Sequence, residues 1–214
     1  MIRKISTLAL GAVLACGLGF SPVQAAPLHF TLESPHTQII FNVSHLGFSH
    51  SYGKFTGYSG HITFDPEAPA ASSVEVSIDA KSLELNDAKW NEHVRGADFI
   101  DAEKFPAITF KSTKIDVTGE KTANITGDLT LHGVTKPVVL AATLNKLDKH
   151  PMSGKNVAGF SATASLKRSD FGISYGLPNV GDEVNIIIEV ETVPVESPAG
   201  TAPTAPTTPA PKAE

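Results

Sequence analysis

The chain has 214 residues, with 17 basic and 22 acidic side chains and a formal net charge of −5 at pH 7. An acidic protein of this kind is soluble and argues against nucleic-acid binding, which needs a basic patch to meet phosphates. Cys16 is the only cysteine and lies in a segment that we expect to be removed, which excludes disulfides and thiolate chemistry from the exported protein.

The first 25 residues have the pattern of a secretory signal peptide. Arg3-Lys4 precede an uncharged, mostly apolar run at 5–20, and small side chains follow as far as Ala25, where we predict cleavage. The run is shorter than the roughly 20 apolar residues of a spanning helix, so we expect no stable membrane span and an exported protein. The alternative is a lipoprotein, because residues 13–16 (VLAC) loosely resemble a lipoprotein cleavage box ending at Cys16.

The C-terminal residues 194–214 (PVESPAGTAPTAPTTPAPKAE) are mostly Pro, Ala and Thr with little apolar bulk. Such a segment cannot bury enough surface to offset the entropy of ordering, so we predict a disordered tail. The remaining residues, 26–193, are long enough for one domain of ordinary size.

The first half of this domain alternates apolar and polar residues with a period of two, which is typical of strands with one buried face. The predicted strands are 28–33, 37–43, 53–65 and 73–80. Ser34-Pro35 interrupts the opening run, because Pro35 cannot donate a hydrogen bond to a β-ladder. We therefore count 28–43 as one broken strand.

One segment departs from the β pattern. Residues 86–96 (NDAKWNEHVRG) place Trp90 and His93 on one helical face, with Asn86 as the expected N-cap and Gly96 as the terminator. The sequence therefore predicts one short helix that covers an end of the sheet.

The second half returns to strands, predicted at 107–117, 123–131, 138–144, 156–167 and 183–193. The apolar parity of the first of these flips between Phe110 and Ile115, which predicts a β-bulge at 112–114. His132-Gly133 follows an alternating run and is followed by another, which predicts a hairpin turn.

Eight alternating strands and one helix predict an all-β fold, either a sandwich or a closed antiparallel barrel. An eight-stranded barrel is filled by its own side chains or holds one small ligand. Small side chains on the inward faces favour a cavity; they are Ala123, Gly127, Ala142, Ala158, Ala162 and Ala164. The alternative is that aromatic side chains fill the interior; the candidates are Phe41, Trp90, Phe110 and Phe160.

Four segments carry motifs of a known family. They are 36–47 (HTQIIFNVSHLG) with the Gly53-Lys54-Phe55 that follows, 93–110 with its ADF and KFP motifs, 125–136 (ITGDLTLHGVTK), and 159–173 (GFSATASLKRSDFGI). Together they resemble the YceI-like family of periplasmic polyisoprenoid-binding proteins over almost all of 26–193. LTLHGVTK with KRSDFGI downstream is the most specific pair. Trp90-Asn91 is a departure, because relatives often carry Arg-Asp there.

The resemblance implies an extended eight-stranded antiparallel barrel, lipocalin-like in architecture, with a long isoprenoid chain inside. It also implies an exported, periplasmic protein without catalytic activity that binds, transports or stores a polyisoprenoid, either an isoprenoid quinone or a polyprenyl phosphate. We expect no cofactor apart from this bound lipid, and no nucleic-acid partner. The sequence leaves open whether the barrel forms a homodimer.

Candidate ligand contacts fall into two groups. The apolar lining is predicted to comprise Phe41, Val76, Ile78, Trp90, Phe110, Leu129, Phe160, Ala162 and Ile188. Polar groups at one mouth would orient the head of the lipid, and the candidates are His45, His93, Arg95 and Arg168. The alternative for the two arginines is solvation, or ion pairing with Asp98 or Asp170.

No motif indicates a catalytic or metal site. The eight histidines include no His-x-His or His-Glu-x-x-His spacing. Gly57-Tyr58-Ser59-Gly60 lacks the complete nucleophile elbow, and Asp79, Asp128, Glu189 and Glu191 fall on outward faces. A hydrolase or metal-binding function therefore ranks below the main alternative, a non-enzymatic, stress-related interaction module with a filled barrel.

Overall fold

The computed structural model describes residues 26–195, so the predicted signal peptide and nearly all of the predicted tail lie outside the described residues. The chain forms β1 (Leu28–Leu32), β2 (Gln38–His45), β3 (Ser49–Phe55), β4 (Tyr58–Phe64), β5 (Ser73–Asp79), β6 (Leu83–Glu84), α1 (Ala88–Arg95), β7 (Ala107–Val117), β8 (Thr122–Leu131), β9 (Val134–Lys149), β10 (Asn156–Lys167) and β11 (Val180–Pro194). In this described part, no helix has the length and apolar character needed to span a bilayer.

The strands close into a barrel because β1 pairs with both β4 and β11. Each of three pairs of consecutive segments forms one broken strand of the wall; the pairs are β1 with β2, β3 with β4, and β5 with β6. The closed antiparallel wall therefore has eight strands. The predicted all-β, eight-stranded antiparallel barrel is confirmed. The predicted single strand at 53–65 is instead broken at Thr56-Gly57, where the Thr56 N–H bonds the Ser82 carbonyl (3.2 Å).

The central hairpin, β8 and β9, turns at His132-Gly133 as predicted. Both residues have positive φ (52° and 74°), and Leu131 pairs with Val134 directly across the turn. β9 is longer than the predicted 138–144, because β8 pairs with its first part and β10 with its last part. The bulge in β7 is confirmed by a register shift between Ser112 and Lys114.

The helix α1 is also confirmed, but its N-cap is Asp87 and not the predicted Asn86. The Asp87 carboxylate accepts a hydrogen bond from the Trp90 N–H (2.9 Å), whereas Asn86 adopts a positive φ of 64° in the preceding turn. The Asn91 side chain accepts a hydrogen bond from the Leu85 N–H (2.6 Å), which fastens the helix beside β6.

Two buried apolar clusters lie at opposite ends of the barrel. Beside α1 the cluster comprises Ala80, Leu83, Leu85, Ile100, Ala102, Ile108 and Ile173. At the far end it comprises Phe30, Ile62, Phe64 and Ala158. The strand wall also extends slightly past the predicted end of the domain at 193, since Phe30 pairs with Pro194 and the Val195 N–H bonds the His29 carbonyl (2.9 Å).

Candidate functional site

A cavity of about 610 Å³ lies inside the barrel. Its wall consists mainly of inward-facing aliphatic and aromatic side chains, and along β8 it extends from Leu131 to Thr122, about 30 Å at the usual rise of a strand. Ligand sites in proteins generally enclose about 300–1,000 Å³ and are lined mostly by apolar groups. Both the size and the lining of the cavity are therefore those of a site for a long apolar ligand.

Inward side chains retain accessible surface because the lumen is open. On β5, for example, Val74, Val76 and Ile78 face inward and line the cavity, and the residues between them face outward. The three inward side chains are nevertheless only half-buried. In a filled barrel the same side chains would be fully packed. The open lumen contradicts the filled barrel that the interaction-module alternative requires.

A row of alanines widens the cavity. Ala142 on β9 pairs directly with Ala123 on β8 and with Ala162 on β10, and all three line the cavity. Each contributes a single methyl group where a larger residue would extend into the lumen. These three small positions leave the interior space that the sequence predicts.

The other three small positions do not line the cavity. A Cβ atom at Gly127 would lie 2.4 Å from the Phe110 ring, so this ring already occupies the space beside the glycine. Ala158 is fully buried in the far apolar cluster, where the Thr192 hydroxyl bonds its backbone. Nothing in the structure explains why Ala164 is small.

The aromatic side chains line the lumen and do not fill it. Phe41 lies against Gly53, its partner across β2 and β3, where a Cβ atom would be 2.4 Å from the ring. Phe160 packs edge-on against Phe64, with ring centroids 5.7 Å apart. All nine predicted lining residues lie on the cavity wall, and their contact with a ligand remains a prediction; they are Phe41, Val76, Ile78, Trp90, Phe110, Leu129, Phe160, Ala162 and Ile188.

Polar side chains gather where α1 meets the cavity. His45 and His93 line the wall beside Trp90, and the same three residues border a surface depression with Asp87 and Lys89. The His45 ring lies edge-on to Trp90 at 6.3 Å. This end of the cavity is therefore a mouth with two imidazoles at its edge.

The His93 ring is fixed by aromatic contacts. It lies 5.2 Å from the Phe99 ring and 5.7 Å from the Tyr175 ring, both edge-on. Its Nε2 atom is 3.9 Å from the Asp98 carboxylate. Asp98 thus pairs with His93 and not with Arg95, the partner that the sequence suggested.

Arg168 lies on the cavity wall at the same end and is only 4% exposed. Its guanidinium donates hydrogen bonds to the carbonyls of Gly181 (2.8 Å), Ile173 (3.2 Å) and Val180 (2.9 Å). Burial lowers the pKa of Arg168, and the nearby Asp182 carboxylate opposes this effect.

The alternatives that the sequence left open for Arg168, solvation at the surface or an ion pair with Asp170, are wrong. The guanidinium is buried, so it is not a solvated surface group, and Asp170 pairs with Lys136 (3.7 Å). A guanidinium stays protonated at neutral pH, so a positive charge is held at the cavity wall.

Arg95 lies away from the cavity. Its Nε and Nη2 atoms both donate to the Leu83 carbonyl, the first at 3.1 Å. The side chain therefore ties the end of α1 to β6, and of the four predicted headgroup candidates only His45, His93 and Arg168 are brought together at the mouth.

Sequence patterns missed Phe99 and Tyr175, which also line the cavity. Phe99 falls in the ADF motif of the family, and this motif was the only sign in the sequence that could have marked it as a site residue. Tyr175 lies in an irregular segment between β10 and β11, where no periodicity shows which way a side chain points. The far end of the cavity, at Glu120 and Lys121 in the irregular turn between β7 and β8, was missed for the same reason.

Comparison with known proteins places these features in a family. The model of the YceI-like domain matches residues 30–192. A UPF0312 protein of Azotobacter vinelandii is 42% identical over 194 residues, which covers 90% of this chain and 99% of that protein.

Solved structures share the barrel. A Campylobacter jejuni YceI protein is 33% identical with a TM-score of 0.65, covering 72% of this chain and 90% of that one. A polyisoprenoid binding domain from Saccharophagus degradans has the same fold at 14% identity, with a TM-score of 0.62 over 78% of this chain and 99% of that one. Because the family model spans most of its length, the chain belongs to the YceI-like domain family.

Proposed function

We propose that the protein binds an isoprenoid lipid inside its barrel, in the periplasm, without catalysing a reaction. The observation that carries the proposal is the long apolar cavity of about 610 Å³. Transfer of apolar surface from water is worth about 25 cal/mol per Å², so a few hundred Å² of prenyl chain supplies several kcal/mol before the cost of association.

The shape of the cavity favours a long, narrow chain over a compact ligand. It follows the strands for about 30 Å, and the alanine row of Ala123, Ala142 and Ala162 widens it across three adjacent strands. A branched prenyl chain has methyl groups that such recesses can accept. The Saccharophagus degradans domain, described as polyisoprenoid binding, has the same fold, so this architecture is compatible with that class of ligand.

The polar head of the lipid lies at the α1 mouth in this proposal. Imidazole N–H groups of His45 and His93 can donate to the oxygen atoms of a quinone or a phosphate, and Arg168 adds a positive charge beside them. At the far end, Glu120 and Lys121 also border the cavity, but they are exposed side chains of a turn and are not held in place by packing.

The cellular part of the proposal rests on residues 1–25, whose composition is that of a cleaved secretory signal. An exported protein with such a cavity can carry or store a lipid that has very low solubility in water. Its role is then binding, transport or storage of the isoprenoid between compartments of the envelope.

Trp90 supplies the test, because it is the only tryptophan and lines the cavity at the mouth. Delipidated protein is titrated with a short-chain isoprenoid quinone while Trp90 emission is followed. The proposal predicts saturable quenching at one quinone per chain, lost when Ala142→Phe fills the lumen. Linear quenching, equal to that of free tryptophan, would contradict it.

A further inference from the structure

Three metal-ligating side chains converge on the outside of the barrel. Glu33 follows β1, His36 ends the 3-10 turn Ser34–His36, and Glu191 lies on β11. His36 Nδ1 is 2.9 Å from Glu33 Oε2 and 3.8 Å from Glu191 Oε2. One ligand atom from each side chain lies within 4.8 Å of the other two.

The backbone around Glu33 and Glu191 is fixed by hydrogen bonds. The Glu33 N–H donates to the Glu191 carbonyl (2.8 Å), and the Thr37 hydroxyl donates to the same oxygen (3.3 Å). The Glu33 carboxylate caps the turn by accepting the His36 N–H (3.0 Å). The backbone positions of Glu33 and Glu191 are therefore held next to each other by the fold.

Tyr58 anchors the turn from the other side. Its hydroxyl lies 2.8 Å from the Ser34 carbonyl and 2.5 Å from the Thr37 carbonyl. Thr37 itself is buried, with 4% exposure. The backbone that carries Glu33 and His36 is therefore fixed, which reduces the freedom lost on binding, while the His36 and Glu191 side chains stay exposed to solvent (66% and 51%) and accessible to an ion.

The charge of the cluster favours a cation. Within residues 26–195, the ion pairs recorded for Glu33 and Glu191 both go to His36. The Glu33 and Glu191 carboxylates together carry two negative charges. A divalent cation at the centre compensates both.

We propose that Glu33, His36 and Glu191 bind Zn²⁺ or a similar divalent ion of the first transition row. Imidazole nitrogen and carboxylate oxygen are both zinc ligands at about 2.0–2.2 Å, and two such atoms around a tetrahedral ion lie about 3.4 Å apart. The two separations in the structure, 2.9 and 3.8 Å, bracket this value, and the shorter one is a hydrogen bond between His36 and Glu33 that a bound ion would replace. Water completes the coordination, since only three protein ligands are present.

The site lies where β11 changes partners. Gln38 of β2 pairs with Glu189, and Leu32 of β1 pairs with Thr192, so Glu191 falls between the two ladders. A bound ion would fasten the broken strand to β11 at this point. Because the unfolded chain does not bring Glu33 and His36 near Glu191, the ion binds the folded state preferentially and raises its stability.

The test uses untagged mature protein that has been stripped with a chelator and titrated with zinc sulfate by isothermal calorimetry. We expect one saturable site and a melting temperature that rises with zinc. His36→Gln and Glu191→Gln should each weaken binding about tenfold or more, a loss of at least about 1.4 kcal/mol. The matched control is His61→Gln, because His61 is exposed and faces Glu75 across β4 and β5.

The outcomes decide the proposal. It is overturned if zinc does not saturate a single site, if His36→Gln and Glu191→Gln bind as tightly as the wild type, or if His61→Gln weakens binding equally. Lipid content is measured on the same samples. Because the cluster lies on the outer surface, loss of zinc should leave bound lipid unchanged, so the two proposals fail independently.

Discussion

Phe110 lies against Gly127, close enough that a Cβ atom at the glycine would be 2.4 Å from the aromatic ring. The ring fits along the wall because β8 provides a position without a side chain. Phe41 and Gly53 repeat the arrangement on β2 and β3. These two contacts let large aromatic residues line the barrel while its centre stays open.

Gly127→Ala should destabilise the protein. The added methyl would meet both the Phe110 ring and, at 2.6 Å, the Lys111 carbonyl, and the backbone cannot move aside as a flexible side chain can. Overpacking of this kind costs about 1–3 kcal/mol in the free energy of unfolding, measurable by urea denaturation. Gly159→Ala is the control, because the nearest atoms to its added methyl are 3.9 Å away; an equal loss in both variants would contradict the account.

Ala142→Phe should weaken lipid binding at least about tenfold without unfolding the barrel. The new ring would enter the cavity at the centre of the alanine row, where space exists, and would displace the ligand. We expect at least about a tenfold loss of affinity, equivalent to about 1.4 kcal/mol, with an unchanged or raised melting temperature. Ala141→Phe adds the same ring on the exposed outer face and should bind normally. Equal binding by both variants would show that the ligand does not occupy the lumen.

Arg168→Met should destabilise the α1 end of the barrel. It removes the donors to the carbonyls of Gly181, Ile173 and Val180. Only the bond to Ile173 is fully buried, and an unsatisfied buried acceptor costs about 1–3 kcal/mol. We expect a loss of about 2–4 kcal/mol by urea unfolding, and a smaller loss for Arg168→Lys. Lys167→Met alters the exposed neighbour and should change stability little. A stable Arg168→Met variant would refute this structural role.

Asp182 should contribute a pH-dependent part of the stability. Hydrogen bonds from the Ser169 backbone N–H and hydroxyl lower the pKa of Asp182 below its ordinary value of 3.8. The unfolded chain therefore binds more protons at this carboxyl, so the contribution is complete above about pH 4 and is lost as the pH falls through the lowered pKa.

The check is the urea midpoint between about pH 6 and about pH 3. Wild type should lose stability more steeply than Asp182→Asn over this interval. Asp128→Asn, at an exposed position on β8, should keep the wild-type slope. If Asp182→Asn also keeps that slope, the hydrogen bonds to Ser169 do not stabilise the ionised carboxylate.

The barrel could be predicted because its strands alternate with a period of two and its turns carry Gly or Pro. The β7 bulge could also be predicted, because the inward-facing positions change from even to odd between Phe110 and Ile115, and one inserted residue explains this change. The break at Thr56-Gly57 was not visible, because it depends on the approach of Ser82 from the β5–β6 corner. Contacts between segments distant in sequence leave no periodic signal.

For the candidate site, the sequence predicted which residues face the cavity but not how they pack. Alternation identified the inward residues, but it could not show that Phe110 covers Gly127, so this glycine was wrongly taken as open space. Nor could it separate Arg168, buried at the wall, from Arg95, which bonds the Leu83 carbonyl. Both are basic residues near the end of an element, and only tertiary packing distinguishes them.

The most direct measurement is mass spectrometry of an organic extract from protein purified out of its native envelope without detergent. The account predicts a prenyl lipid at about one molecule per chain, absent from the Ala142→Phe variant prepared in parallel. A lipid-free extract, together with a melting temperature that does not respond to added isoprenoid quinone, would contradict the central claim that the barrel encloses an isoprenoid.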